Sequence, residues 1–239
     1  MKAKNRPSIE RKIFYFEKPG PHNTGNIIHA VKERIKEGDI KYIVVASISG
    51  QTALKTAEQL KDLDISIICV SGFPGWRTIH DTEYPFVKGE VRKRLERLNV
   101  VIVDKMPSTL SGDTIDYGLA RYGYVPVSWV IAETLEAIGG YGLKTTVEAI
   151  LMATDCGAIP AFKDVISIAG TDRGADTAIV AKSTFSSSMF SGGSAERFQI
   201  LEIIAMPRIK KWYKRIGVGG LLFQEIEKGE TLGPGAESA

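Results

Sequence analysis

The amino-acid sequence predicts an α/β protein with three layers (α/β/α), in which helices cover both faces of a mostly parallel sheet that ends in an antiparallel C-terminal hairpin. Three observations support this fold class. Short runs of apolar, β-branched residues alternate with amphipathic segments of helical periodicity. The connections between them are mostly short, as in right-handed βαβ units. Two of the last apolar runs are joined by a short loop from Gly170 to Asp176, which predicts an antiparallel pair.

The first half of the chain alternates between predicted strands and predicted helices. Tyr42 to Ala46 is a continuous apolar run, which is typical of a strand covered on both faces in a parallel sheet. Asn23 or Thr24 is expected to cap the first helix, and Gly38 to end it. The predicted elements are, in order, a strand at 13–16, a helix from 27, a strand at 42–46, a helix at 52–63, a strand at 65–70, a helix marked by residues 91, 95 and 98, and a strand at 100–103.

Two successive helices and three further strands are predicted in the second half of the chain. In the first helix, Val127, Val130, Ile131 and Leu135 are expected to lie on one face. Together the elements predict one domain, with its core at about 13–206 and a basic tail at 207–239. The helices are predicted at about 127–138 and 143–154, and the strands at 165–169, 177–181 and 198–205.

Charge and hydropathy exclude several classes of protein. The 239 residues have a net charge of +3, and the basic residues behind this balance are concentrated between Pro207 and Arg215. A basic segment this short does not predict a nucleic-acid-binding surface. The sequence has no run of 18 apolar residues that would span a membrane. It also has no apolar stretch after its basic start, so we expect no signal peptide.

The cysteine and histidine content predicts neither a metal site nor a familiar catalytic arrangement. Cys69 and Cys156 both lie among apolar residues and form no C-x-x-C pair, so we expect two buried, reduced thiols in a cytoplasmic protein. His80, Asp81 and Glu83 are too close in sequence to converge on one ion. No Ser/His/Asp or Cys/His arrangement is visible, so no catalytic residue is nominated.

The sharpest local signal is a loop that lies directly after a buried strand and directly before a helix. Ser47, Ser49, Gly50, Gln51 and Thr52 are its candidate contacts to a phosphate. The first turn of a helix presents unpaired N–H groups and the positive end of the dipole, and a glycine lets the backbone approach an anion. The alternative interpretation is that Ser49 merely caps the helix and Gly50 relaxes the turn.

A second candidate loop follows the next predicted strand and therefore lies at the same edge of the sheet. Gly72 allows close approach of a ligand beside Ser71, and Phe73 and Trp76 are suited to pack on a flat ring. The alternative is a tight turn whose aromatic side chains cover the core. The sequence leaves these two interpretations of the second loop open.

Two further side chains are candidates at the same edge. Lys105 follows the third buried strand and is placed to pair with a ligand phosphate, or else it is an ordinary surface lysine. Asp176 begins a late strand, where its carboxylate would accept a hydrogen bond from a ring or ribityl group, or else it is a turn residue. The sequence leaves both alternatives open.

Several segments of the chain resemble the C-terminal domain of pyruvate kinase. They are more closely similar to a family of stand-alone archaeal and bacterial proteins described as pyruvate kinase α/β-domain-like. The resemblance implies the fold and a phosphate site at residues 47–52, without the catalytic barrel of pyruvate kinase, and it implies FMN as the ligand. The segments are Y-F-E-K-P-G-P-H-N-T (15–24), V-V-A-S-I-S-G-Q-T-A (44–53), V-E-A-I-L-M-A-T-D-C-G-A-I-P (147–160), I-A-G-T-D-R-G-A-D-T-A (168–178) and I-I-A-M-P-R (203–208).

The leading hypothesis is that the chain binds a phosphorylated small molecule, with FMN as the best single candidate. The sequence lacks G-x-x-x-x-G-K-[ST] and G-x-G-x-x-G, which disfavours a P-loop NTPase and an ordinary Rossmann dehydrogenase. Two alternatives stay open: an enzyme that acts on a phosphorylated metabolite, with Lys105 or His22 as acid or base, and a regulatory protein that senses a sugar phosphate. We expect no nucleic-acid or membrane partner, and self-association is left open.

Overall fold

A computed structural model of the chain describes residues 8–76, 83–111, 114–120, 122–211, 213–215 and 223–225. The helices are α1 (Thr24–Ile35), α2 (Gln51–Leu60), α3 (Gly89–Arg97), α4 (Ile115–Ala120), α5 (Val127–Gly139) and α6 (Tyr141–Asp155). The strands are β1 (Phe14–Phe16), β2 (Tyr42–Ala46), β3 (Ser66–Val70), β4 (Val101–Val103), β5 (Asp164–Ala169), β6 (Thr177–Lys182), β7 (Gln199–Pro207), β8 (Tyr213–Arg215) and β9 (Phe223–Glu225).

The protein has an α/β fold with a seven-stranded, mostly parallel sheet. The strand order is β1-β7-β6-β5-β2-β3-β4, and β8 and β9 form a separate antiparallel pair. β6 is antiparallel to both of its neighbours, so it alone runs against the other six strands of the sheet. The predicted antiparallel pairing of β5 with β6 is confirmed. The carboxyl ends of six strands therefore meet at one edge, together with the amino end of β6.

Helices pack on both faces of the sheet and enclose two apolar cores. One core lies between the sheet and α1, α2 and α3, and the other lies between the sheet and α5 and α6. Successive side chains of a strand point to opposite faces, so Val44 belongs to one core while Ile43 and Val45 belong to the other. This double covering explains why β2 is apolar along its whole length.

Helix α5 buries residues outside the apolar face that its sequence shows. Of that face, Ile131 and Leu135 pack against a core, but Val127 and Val130 are 67% and 55% exposed. The buried residues are Trp129, Ala132, Glu136 and Gly139, which lie on another side of the helix. Periodicity alone cannot decide which side is buried, because α5 has apolar residues on more than one side.

The cysteines differ from each other, contrary to the expectation of two buried thiols. Cys69 is fully buried in β3, and this burial, reinforced by the nearby charge of Asp104, raises its pKa to about 12. Cys156 is exposed because it follows directly after the end of α6, in the turn that leads to Gly157. Within the described ranges, no helix combines the length and the apolar character that crossing a bilayer requires.

Candidate functional site

Three neighbouring parallel strands end at the same level at the carboxyl edge of the sheet. The register pairs the last residues of β2, β3 and β4, so that Ser47, Ser71 and Asp104 follow these strands side by side. The Ser47 amide donates to the carbonyl of Val70 at 2.9 Å, and the Ser71 amide donates to that of Val103 at 2.8 Å. The loops that follow the three strands are therefore held next to one another.

Ser47 caps helix α2. Its Oγ accepts hydrogen bonds from the amides of Thr52 at 3.1 Å and Ala53 at 3.4 Å, and both Ser47 and Thr52 are buried. The Gly50 amide closes the turn by donating to the carbonyl of Ser47 at 3.1 Å. The capping hydroxyl is thus that of Ser47 rather than Ser49, and the side chain of Ser47 is directed into the fold.

Gly50 is required for a different reason from the one that its sequence context predicts. Its φ of 77° lies in the left-handed region that favours glycine. A Cβ built on Gly50 would lie 3.0 Å from side-chain atoms of Val87, Val91 and Leu95. Gly50 therefore lets α2 begin against α3, and its missing side chain faces an apolar contact.

The outer part of the same loop is accessible. Ile48, Ser49 and Gln51 are exposed, whereas Ser47, Gly50 and Thr52 are buried. Over the described ranges, the amides of Ser49 and Gln51 have no hydrogen-bond acceptor. Both lie at the positive end of the ten-residue helix α2. Of the five predicted phosphate contacts, Ser49 and Gln51 are consequently the two that an anion can reach from solvent.

The loop after β3 is tied to the loop after β2. The Ser71 hydroxyl donates to the carbonyl of Ile48 at 2.6 Å. A Cβ on Gly72 would lie 2.5 Å from the Trp76 ring, so this glycine makes room for an aromatic side chain. Trp76 in turn meets Phe86 edge to face, with 5.7 Å between the ring centroids. Phe73 and Trp76 are each half-buried, so part of each ring stays accessible beside the loop that contains Ser49.

At the end of β4, Asp104 and Lys105 point in different directions. Asp104 is buried and forms an ion pair with Arg92 of α3, while Lys105 is exposed. Lys105 was a candidate from the sequence, whereas the Asp104–Arg92 pair and Phe86 were not predicted. Asp104 could have been identified from its position directly after a predicted strand, since Ser47 and Ser71 also follow directly after predicted strands. Phe86 had no such signal.

The structure gives Asp176 a structural role. The residue is fully buried, and its Oδ2 accepts the amides of Gly20 and Thr171, each at 3.0 Å. Its Oδ1 accepts the hydroxyl of Thr177 at 2.9 Å. β5 separates the strand that Asp176 precedes from β2. Asp176 therefore ties the loop after β1 to the loop between β5 and β6, at a distance of one intervening strand from the loop that contains Ser49.

The two residues suggested for an acid or base role lie far apart. His22 follows β1 and Lys105 follows β4, and these are the two outermost strands of the sheet. Both side chains are exposed. They share the carboxyl edge but not one pocket, so the sheet does not bring them together on a small substrate.

A buried ionic cluster on the other face of the sheet was missed from the sequence. Lys144 and Glu148 of α6 form an ion pair at 2.7 Å, and the Lys144 Nζ donates to the Ser111 Oγ at 2.6 Å. Oε1 of Glu148 accepts the amides of Leu110 and Ser111, each at 2.8 Å. The indole N–H of Trp129 donates to the Ser111 carbonyl at 3.1 Å. A signal was present, since Lys144 and Glu148 have the i,i+4 spacing of a helical ion pair.

This cluster anchors the loop that follows β4. Burial raises the pKa of Glu148, but the charge and hydrogen bond of Lys144 and the Leu110 amide lower it by more, so the pKa lies below its ordinary value. The lowered pKa favours the ionised form of the carboxylate beside Lys144. The contact between the Lys144 Nζ and the Ser111 Oγ fastens the loop that follows β4.

The lowered pKa of Glu148 predicts a pH dependence of stability. A carboxylate with a depressed folded-state pKa stabilises the protein above its unfolded pKa of about 4.3, and this contribution disappears as the pH falls through the folded value. We expect Glu148→Gln to lower the free energy of unfolding by about 3 kcal/mol at neutral pH. The difference from the wild type should shrink progressively below about pH 4.3. Urea unfolding of both proteins at several pH values across this range measures the difference in the free energy of unfolding. A difference that does not change with pH would contradict the lowered pKa of Glu148.

Comparison with known proteins leaves the resemblance to pyruvate kinase C-terminal domains as a prediction from motifs, since no family model matches the chain. Within the part of the chain that the structure describes, no group of three or more His, Cys, Asp and Glu side chains is placed to hold a metal ion. His80 and Asp81 lie outside the described residues. The functional conclusion therefore depends on the geometry of the sheet edge.

Proposed function

We propose that the chain binds a phosphorylated small molecule, with FMN as the ligand, at the edge formed by the loops after β2 and β3. One observation supports this proposal most directly. The hydrogen bond from the Ser71 hydroxyl to the Ile48 carbonyl joins these two loops at 2.6 Å. It keeps the amides at the start of α2 beside the accessible aromatic rings that follow β3.

The phosphate contacts are Ser49 and Gln51. Their exposed amides supply two N–H donors at the amino end of α2, where the helix dipole favours an anion. The Ser49 hydroxyl and the Gln51 side-chain amide add donors that are also exposed. Ser47, Gly50 and Thr52 act indirectly, because they set the shape of the turn that presents these groups.

The ring contacts are Phe73 and Trp76. Each offers a partly accessible aromatic surface directly after the strand that adjoins β2, and an isoalloxazine ring is flat and apolar enough to pack on such a surface. Exposed Lys105, at the end of the next strand, supplies a positive charge at the same edge. This division between phosphate and ring favours a nucleotide-like ligand over a sugar bisphosphate, which has no aromatic ring.

A pair of identical substitutions on α2 tests the phosphate contact. Gln51 and Gln59 are both exposed, at the amino and carboxyl halves of the same helix. We expect Gln51→Glu to weaken FMN binding by about tenfold, because like charges at about 4 Å repel by roughly 1–4 kcal/mol near a protein surface. Gln59→Glu should leave the affinity unchanged. Quenching of flavin fluorescence measures both dissociation constants.

Riboflavin, which lacks the phosphate, provides the ligand control. Its binding should be weaker than that of FMN and should not respond to Gln51→Glu. The melting temperature of Gln51→Glu should equal or slightly exceed that of the wild type, since a carboxylate in the first helical turn is favourable. A colourless purified protein that gains no thermal stability from added FMN would reject the flavin assignment. Equal effects of the two glutamates would reject the contact at Gln51.

A further inference from the structure

Three polar side chains stand in a row at the carboxyl edge of the sheet, on the face that α2 and α3 cover. Ser47, Ser71 and Asp104 follow directly after β2, β3 and β4, and the register places them side by side. The residues two positions before them pack in the core beneath these helices, so the alternation of side chains along a strand directs all three to that face. Those core residues are Val45, Cys69 and Ile102.

Asp104 has an oxygen that no donor in the fold uses. Its Oδ2 accepts a hydrogen bond from Arg92, whereas its Oδ1 accepts none from the residues that the structure describes. The residue is 7% exposed, and its side chain keeps 10% of its surface accessible. A nearly buried acceptor that lacks a hydrogen bond is costly, so a ligand that supplies an N–H here would be stabilised.

The segment at 84–87 connects this carboxylate with the proposed ring site. The Nε of Arg92 donates to a backbone carbonyl of the segment at 2.9 Å, so the partner of Asp104 also holds the segment in place. Phe86 meets both Trp76 and Tyr84 edge to face, with centroids 5.7 Å and 6.0 Å away. Burial, with a contribution from the charge of Asp104, raises the pKa of Tyr84. The aromatic rings and the Asp104–Arg92 pair are therefore joined through one short segment.

We infer that Asp104 and Arg92 bind the imide edge of the flavin ring, where one N–H, at ring nitrogen N3, lies between two carbonyl groups. This inference rests on the proposed binding of FMN. The Oδ1 of Asp104 accepts the N3–H, and the guanidinium of Arg92 donates to a neighbouring carbonyl oxygen. A carboxylate accepts hydrogen bonds and a guanidinium only donates them, so the pair is complementary to an edge that has an N–H beside a carbonyl.

The order of the strands agrees with the order of the groups along FMN. The proposed phosphate contacts follow β2, the ring contacts follow β3, and the imide contacts follow β4. Adjacent strands lie about 4.8 Å apart, so the phosphate and the imide edge are bound about 10 Å from each other. Neither a sugar phosphate nor an adenine ring has an imide, so this pair selects a flavin over an adenine nucleotide.

N3-methyl-FMN, in which a methyl group replaces the imide hydrogen, tests the inference through quenching of flavin fluorescence. The wild type should bind FMN about ten- to a hundredfold more tightly than N3-methyl-FMN, because the methylated ring cannot donate to the charged acceptor. Asp104→Ala should bind the two ligands equally, since it lacks the acceptor. Arg92→Ala should bind both more weakly and keep the preference for FMN, since both ligands retain the carbonyl groups.

The wild-type comparison separates this inference from the proposed function. If FMN and N3-methyl-FMN bind equally well, the inference is overturned and the phosphate and ring contacts stand, whereas both proposals fail if neither ligand binds. A preference that persists in Asp104→Ala, or that Arg92→Ala abolishes equally, would show that the ion pair only supports the loop. Asp104→Asn keeps the shape of the side chain and serves if Asp104→Ala does not fold. It should reduce the preference, because a neutral oxygen is a weaker acceptor.

Discussion

Replacing Lys144 with alanine is expected to lower the free energy of unfolding by about 3–5 kcal/mol, because removing one member of a buried ion pair leaves an uncompensated charge. Lys144 is 1% exposed and contacts both Glu148 and the Ser111 hydroxyl. Its loss would strand the Glu148 carboxylate in the apolar layer beneath the loop after β4. Urea unfolding followed by circular dichroism measures the change.

Two further variants separate the buried pair from an ordinary ion pair. Lys36→Ala removes the exposed partner of Glu33 and should lower the free energy of unfolding far less than Lys144→Ala does, because both members of this pair are solvated. A double variant that replaces both Lys144 and Glu148 by leucine should be more stable than Lys144→Ala, because no buried charge remains. If Lys144→Ala were as mild as Lys36→Ala, the cluster would not anchor the loop.

Replacing Asp176 with alanine is the second large effect that we expect, a loss of about 2–4 kcal/mol. The carboxylate accepts three hydrogen bonds, and its removal leaves the amides of Gly20 and Thr171 without their acceptor. An unsatisfied buried N–H costs about 1–3 kcal/mol. The free energy of urea unfolding measures the loss. Asp62→Ala, at an exposed position, should change stability by less than about 0.5 kcal/mol.

The Asp176→Ala variant also distinguishes the two roles that have been considered for Asp176, a structural link between loops and a contact to the ligand. If the residue only joins two loops, the affinity for FMN measured below the unfolding transition should match that of the wild type. If the folded variant instead binds FMN more weakly than the wild type, the carboxylate contacts the ligand. This is the role that its position at the start of β6 suggested from the sequence. The comparison therefore does not depend on whether the stability prediction holds.

Local patterns predicted the individual elements well, because strands and helices are specified by nearby residues. β2 spans the predicted Tyr42–Ala46, and β6 begins at the predicted Thr177. The pairing of β1 with β7 was not predicted, since it joins Phe14 to Ala205, two residues separated by most of the chain. No local propensity identifies such a partner, which is selected by packing.

The candidate site was located from the sequence, but the orientation of its side chains was not. A strand, a loop of small residues and a helix were enough to locate residues 47–52 at the sheet edge. Which hydroxyl caps α2 depends on the left-handed turn at Gly50, which directs Ser47 inward and Ser49 outward. Lys144 and Glu148 were not predicted, because their i,i+4 spacing is also typical of a solvated helix face. They are buried because the loop that contains Ser111 packs against them.

The pairing of β1 with β7 has a consequence for the order in which the sheet can be completed. During synthesis, Phe14–Phe16 emerges long before the strand beside which it lies. The sheet must therefore close over a long loop, which makes this step slow compared with the local pairing of β2 with β3. Until Asp176 has been synthesised, the segment that leads from β1 into α1 also lacks its hydrogen bond to that residue. In a ribosome-bound chain that has not yet reached β7, strands β2 to β6 can pair with one another while β1 still lacks the strand beside which it lies.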